Sequence, residues 1–215
     1  MNIPTWQKNM VNLNGQDFWF VHVPKTGGAS IKKYASTHGI SMYSRGHEEF
    51  SDDIRHRLDP VLIMVVLRCP VEQTRSLYSY LKIEREKPSF MNRTGFPGMQ
   101  SFSDWLRNPS LGFWGDKWEK RWFPNFYTNF FGKENGIASY DIAVERLKSF
   151  DFVFDTKSLT VDFNKKFVRR YNLPKFTINI NQSKRFEIRK EDIEFIKKQR
   201  EQDFEICKVF GISTI

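Results

Sequence analysis

The stretch "FWFVHVPKTGGASIKKY", residues 18–34, decides how the chain is read. An apolar run, Phe18 to Val23, has the length of a short buried strand and stops at Pro24. Lys25, Thr26, Gly27 and Gly28 follow, and from Gly28 to Thr37 the pattern is that of a helix opened by small residues. A strand, a glycine-bearing turn and a helix N-terminus together form an anion site. Backbone N–H groups converge in the turn, and the helix dipole adds positive charge. Gly27 and Gly28 let the backbone approach a ligand, Thr26 and Ser30 carry hydroxyl donors, and Lys25 is a mobile point charge. The lysine precedes the glycines, whereas the nucleotide-triphosphatase loop, G-x-x-x-x-G-K-[ST], places it after them.

A second unit of the same kind lies downstream. "VLIMVVL", 61–67, is a continuous branched apolar run, the pattern of an interior parallel strand buried on both faces. Arg68 follows, then a break at Pro70, and then "VEQTRSLYSYLKIERE", where Val71, Leu77 and Leu81 fall near one helical face. A positive charge thus ends the strand where a magnesium-binding carboxylate would be expected in a triphosphatase. Two strand–loop–helix units predict an α/β fold with a central parallel sheet flanked by helices. Ligands in such sheets sit beyond the carboxyl ends of the strands. The 24–30 loop and the Arg68–Ser76 segment are therefore expected side by side, and two separated anion sites suit a nucleotide phosphorylated at two places.

Further along, "SYDIAVERLKSF" reads as an amphipathic helix, "FDFVFD" (150–155) as a third strand and "SLTVDFNKKFVRRYN" as a helix. The segment 189–211 reads as one terminal helix stopped at Gly211, its alternating charges forming a solvated face. Residues 86–135 are rich in proline, tryptophan and phenylalanine. They read either as an aromatic packing layer or as an insertion serving as a lid or acceptor wall.

The chain has 215 residues and no repeat or low-complexity tract, which predicts one domain over 1–215. Its formal charge of +9, from 34 basic and 25 acidic residues, suits an anionic ligand without choosing among nucleic acid, acidic polysaccharide and phosphorylated cofactor. The 2 cysteines, Cys69 and Cys207, are far apart and have no metal-ligand spacing. They read as reduced, half-buried residues, and no metal is expected. No run reaches the roughly 20 apolar residues of a membrane span. "MNIPTWQKNMVNLNG" lacks an apolar signal core, so the expected setting is cytoplasmic.

"HVPKTGGAS" together with "LRCPVEQTRSLYSYL" resembles the carbohydrate sulfotransferases that use 3′-phosphoadenosine 5′-phosphosulfate, in particular the group containing heparan sulfate 2-O-sulfotransferase. The resemblance runs in the same order from about residue 18 to residue 211 and includes "LPKFTININQSKRFEIRKEDIEFIKKQREQDFEICKVFG" near the end. It implies a P-loop-like sulfotransferase fold. It assigns Lys25, Thr26, Gly27, Gly28, Ala29 and Ser30 to the 5′-phosphosulfate, and Arg68 and Ser76 to the 3′-phosphate. It makes Asn181, Ser183 and Lys184 candidate contacts from a loop over the cofactor. The implied product is 3′,5′-adenosine bisphosphate and the implied acceptor a sugar or other hydroxyl, with no nucleic-acid partner. A cytosolic bacterial or viral setting fits the missing anchor. Two positions depart from the family's pattern: Cys69 stands where Asp is frequent, and Ala29 where Thr is frequent.

Sulfuryl transfer needs a base for the acceptor proton and a cation for the departing oxygen. Lys25 is placed for the second task. Of the histidines, His22 ends the first strand and reads as structural, and His38 and His56 read as surface residues. His47, in "RGH", matches the family segment that carries the base, with Glu48 and Glu49 as competitors. Two other functions remain open on the residues alone: a P-loop-type small-molecule kinase, which would need magnesium, and a non-catalytic binding module for anionic polymers.

Overall fold

The "VLIMVVL" run forms the middle of a parallel sheet in a computed structural model of the chain, which describes residues 17–40, 42, 44, 50, 61–85, 101–107, 124–177 and 186–214. Strand β1 (Asp17–Val21), β2 (Val61–Leu67) and β5 (Phe152–Asp155) pair in the order β1-β2-β5, all parallel. Phe20 lies opposite Met64, and Val65 opposite Val153. Between β2 and β5 a small antiparallel ribbon, β3 (Lys133–Glu134) with β4 (Ile137–Ala138), stands apart from this sheet.

Successive side chains point to opposite faces of a strand, and both faces here are covered. On one side Phe18, Phe20, Leu62, Met64 and Val66 meet helix α1 (Gly28–Thr37), helix α6 (Leu159–Phe163) and the π-helical turn Asn164–Val168 that continues it. This layer is aromatic. Tyr34 meets Phe163 and Phe176 edge-on, and its hydroxyl donates to the Pro174 carbonyl. The Asn164 amide donates to the Phe176 carbonyl and accepts from its N–H, both at 2.8 Å, which ties the turn to the segment beyond it.

On the other side Trp19, Val21, Ile63, Val65 and Leu67 meet a larger set. It comprises α2 (Pro70–Arg85), α3 (Phe102–Arg107), α4 (Phe126–Phe131), α5 (Tyr140–Lys148), α7 (Lys190–Gln199) and α8 (Glu201–Val209). Pro70 opens α2 at the position where its missing N–H costs nothing. α5 is capped by the Ser139 hydroxyl, which accepts from the Ile142 N–H.

Four expectations need adjustment. β1 stops at Val21, so His22 and Val23 already belong to the loop. The segment 189–211 is two helices that meet at Arg200. Its charges are not all solvated: Asp192, Arg200 and Asp203 are buried, because α7 and α8 turn that stripe into the core. Cys69 and Cys207 are free thiols but fully buried rather than half-buried. Within 86–135, the described segments place Phe102, Trp105, Leu106, Phe126, Tyr127, Phe130 and Phe131 in the core as packing. Among the described residues no helix is long and apolar enough to cross a membrane.

Candidate functional site at the carboxyl edge of the sheet

The first loop is shaped by backbone geometry. Lys25 has φ 63° and Gly27 has φ 95°, both in the left-handed region that favours glycine. The Thr26 hydroxyl donates to the Val23 carbonyl at 2.9 Å. Thr26 is fully buried, so its side chain braces the turn from behind and its single hydroxyl proton is already directed inward. A Cβ on Gly28 would stand 2.1 Å from His22 Cδ2, so the imidazole fills the space that glycine leaves. His22 also stacks on Phe20 and acts here as a packing residue.

Helix α1 starts at this loop with Gly27 as its N-cap. No side chain caps it, and its first turn contains no acid. Its positive end is therefore not neutralised by its own sequence. Ala29 is exposed there and Ser30 is buried.

The second loop is held by side chains from elsewhere. Arg68 follows β2, and its main chain is gripped at both polar atoms by the Tyr127 hydroxyl. That hydroxyl accepts from the Arg68 N–H at 3.0 Å and donates to the Arg68 carbonyl at 2.6 Å. Burial pushes the Tyr127 phenol well above its ordinary pKa, which keeps it a donor. The Arg68 guanidinium donates to the Lys25 carbonyl at 3.2 Å. It also lies 3.5 Å from the Glu72 carboxylate, which pairs in turn with Arg75. Burial lowers the Arg68 guanidinium below its ordinary value and Glu72 opposes this, so Arg68 remains a cation.

The two loops thus form one edge. Gln73 donates to the Pro24 carbonyl at 2.8 Å, and the Lys25 ammonium lies 4.1 Å from the centre of the Tyr80 ring. Thr156, just past β5, donates its hydroxyl to the Thr26 carbonyl and its N–H to the Leu67 carbonyl, which joins the ends of all three strands. Ser76 is buried on α2, one turn from both Glu72 and Tyr80. Segments 24–30 and 68–76 together contain three basic residues and one acidic one.

Beneath this edge lies a buried ion pair. Arg200 donates to Asp203 at 2.7 Å, to the Pro70 carbonyl, to Thr74 and to the Gln73 side-chain oxygen. Asp203 accepts the N–H groups of Tyr127 and Thr128. The chain of bonds Asp203–Arg200–Gln73–Pro24 links the last helix to the first loop. Sequence reading missed Tyr127, Thr156, Gln73, Arg200 and Asp203. For the last two a signal existed: Ile196, Arg200, Asp203 and Cys207 follow at intervals of four, three and four, the spacing of one buried stripe.

Asp155, the acid at the end of β5, accepts the N–H groups of Lys157 and Ser213, one on each carboxylate oxygen, both at 2.9 Å. His47, Glu48, Glu49, Asn181, Ser183 and Lys184 lie outside the described residues. His38 is exposed at the end of α1, against Tyr34. Among the described residues no cluster of His, Cys, Asp and Glu could hold a metal ion. No known protein-family model matches the chain, and no characterised protein matches it in sequence.

Proposed function

We propose that the chain is a sulfotransferase that moves the sulfuryl group of 3′-phosphoadenosine 5′-phosphosulfate to a carbohydrate hydroxyl. In this reading the parallel sheet and its helices are the core of a P-loop-like sulfotransferase fold, carried by one domain over 1–215. One observation carries it: the Arg68 guanidinium donates to the Lys25 carbonyl at 3.2 Å, so the two anion-binding segments share one edge of the sheet. The uncapped, acid-free N-terminus of α1 suits the 5′-phosphosulfate. Arg68 and Ser76 suit the 3′-phosphate, and the Thr26 hydroxyl contributes by holding the loop.

The donor supplies an activated sulfuryl group. Lys25 is the cation for the oxygen that leaves with the bisphosphate, and the α1 amides orient the phosphosulfate. The acceptor oxygen forms the new S–O bond as the bond to the departing phosphate breaks, and the acceptor proton passes to a base. From its place in the sequence His47 is assigned that role. Most of the rate would come from alignment and electrostatics. A magnesium-dependent kinase would need an acid available to a metal at this edge, and Glu72 is paired with Arg68 and Arg75. Asp155 is poorly suited, since both its oxygens already accept backbone N–H groups.

Calorimetry with 3′,5′-adenosine bisphosphate in the presence of a chelator tests the reading, followed by sulfate transfer to mono-, oligo- and polysaccharides. Bisphosphate is expected to bind more tightly than 5′-AMP without metal. Equal affinity for both would overturn the assignment of Arg68 and Ser76.

A further inference from the structure

Lys25 belongs to the first loop, yet both its polar ends are held by the second unit. Its carbonyl accepts from Arg68, and its ammonium lies over the ring of Tyr80 on α2. Its backbone is in the left-handed region at φ 63°, uncommon for a residue with a side chain and an observed outlier of the kind that accompanies functional loops. A lysine stem is long and flexible, so an ammonium needs a second contact to stay in one place. At 4.1 Å from the ring centre, the ammonium faces the negative side of the aromatic quadrupole. Tyr80 is half-buried, which reduces competition from water, and lies one helical turn beyond Ser76. The same face of α2 therefore presents Ser76 and the surface on which Lys25 rests.

We propose that Tyr80 is the positioning residue for Lys25: its ring holds the ammonium where the leaving oxygen is stabilised, and its hydroxyl is dispensable for this. The proposal rests on the sulfotransferase reading for its consequence in catalysis, and on the ring contact alone for its geometry.

The experiment compares Tyr80→Phe with Tyr80→Leu, and uses Tyr80→Met should the leucine variant fail to fold. In carbon–proton NMR spectra the Lys25 ε-methylene, identified by its loss in Lys25→Ala, is expected upfield in the wild type from the ring current. The shift should persist in Tyr80→Phe and vanish in Tyr80→Leu. Turnover in sulfate transfer should fall about 5- to 30-fold in Tyr80→Leu and be restored in Tyr80→Phe. The donor KM should change by less than about twofold, because the ammonium placed by the ring interacts most strongly with the leaving oxygen as charge develops there. An unshifted methylene in the wild type overturns the proposal, whatever the activity. So does a Tyr80→Leu protein that loses the shift but keeps its turnover, or a Tyr80→Phe protein as slow as Tyr80→Leu. A wild type that transfers sulfate to no acceptor overturns the sulfotransferase reading alone, and the methylene shift then decides the positioning of Lys25.

Discussion

The two loops at the sheet edge do similar work by different means. The loop at 24–28 has its turn written into its own residues: a proline, two left-handed positions, a threonine that bonds back three residues and a glycine pressed against His22; Gln73, Arg68 and Thr156 then tie down its carbonyls. The loop at 68–70 has little shape of its own. The Tyr127 hydroxyl holds Arg68 at its N–H and carbonyl, and Arg200 holds the Pro70 carbonyl, with Asp203 behind both. A loop of the first kind keeps its local turn and uses distant partners only to fasten its carbonyls. One of the second kind can be displaced by a single substitution more than a hundred residues away.

Arg200→Ala should therefore have the largest effect. Removing one partner of a buried pair leaves Asp203 uncompensated and costs about 3–5 kcal/mol. Chemical denaturation would measure it. The paired replacement Arg200→Met with Asp203→Leu should recover much of the loss; if it does not, the bonds to Pro70, Thr74 and Gln73 matter more than the charge pair itself.

Lys25→Ala acts on the first loop's chemistry and not on its shape. Turnover should fall by two orders of magnitude or so, the usual worth of one lost transition-state donor, with little change in melting temperature. A raised KM at unchanged turnover would mean that Lys25 contributes only ground-state binding.

Gly28→Ala probes how tightly the first loop is closed. The added methyl meets the His22 ring, and the overpacking should cost about 1–3 kcal/mol in a thermal melt. A neutral result would show that the ring can swing aside and that the loop is less self-determined than the comparison holds.

Tyr127→Phe sharpens the other half. It removes the hydroxyl from two main-chain atoms of Arg68 and should cost about 1–2 kcal/mol of stability. Bisphosphate should bind more weakly by calorimetry, while any effect on 5′-AMP stays small.

Asp192→Asn should have the smallest effect, about 0.5–1 kcal/mol near neutral pH: Asp192 is buried, but its partners Arg107 and Arg189 are solvent-exposed, and the asparagine oxygen can still accept from them. Burial alone would raise the Asp192 carboxyl. Hydrogen bonds from Ser103, Arg107 and Arg189 outweigh it and hold the group below its ordinary value. A depressed carboxylate stabilises the fold above its unfolded pKa, about 3.9, and this contribution is lost as pH falls through the lower folded value. Stability measured from pH 6 downward should drop less steeply in Asp192→Asn than in the wild type.

Much of the architecture was legible. The ends of α1 at Gly28 and Thr37, and of β2 at Val61 and Leu67, match the glycine pair and the apolar run. The alternation of strand and helix pointed to a parallel sheet. The positions of Lys25 and Arg68 relative to their strands also followed from local pattern; their meeting at one edge followed from the general rule for parallel sheets, not from the residues around them. Reading 189–211 as one solvated helix failed for a specific reason. Its charges alternate so regularly that the buried stripe of Ile196, Arg200, Asp203 and Cys207 passed for surface.

What the sequence determined by itself is what depends on neighbours a few residues apart. Hydrophobic period, glycine at positive φ and proline at a helix start all act over that range, so strands, turns and helix starts could be read directly. Only the tertiary structure decided which polar side chains would be buried and with whom. Arg200 meets Gln73 across 127 residues of chain, and Gln73 meets Pro24 across 49. A charged residue looks the same in a sequence whether it ends in water or against a partner. The choice is made by whichever donors and acceptors the packed helices bring within about 3 Å of it.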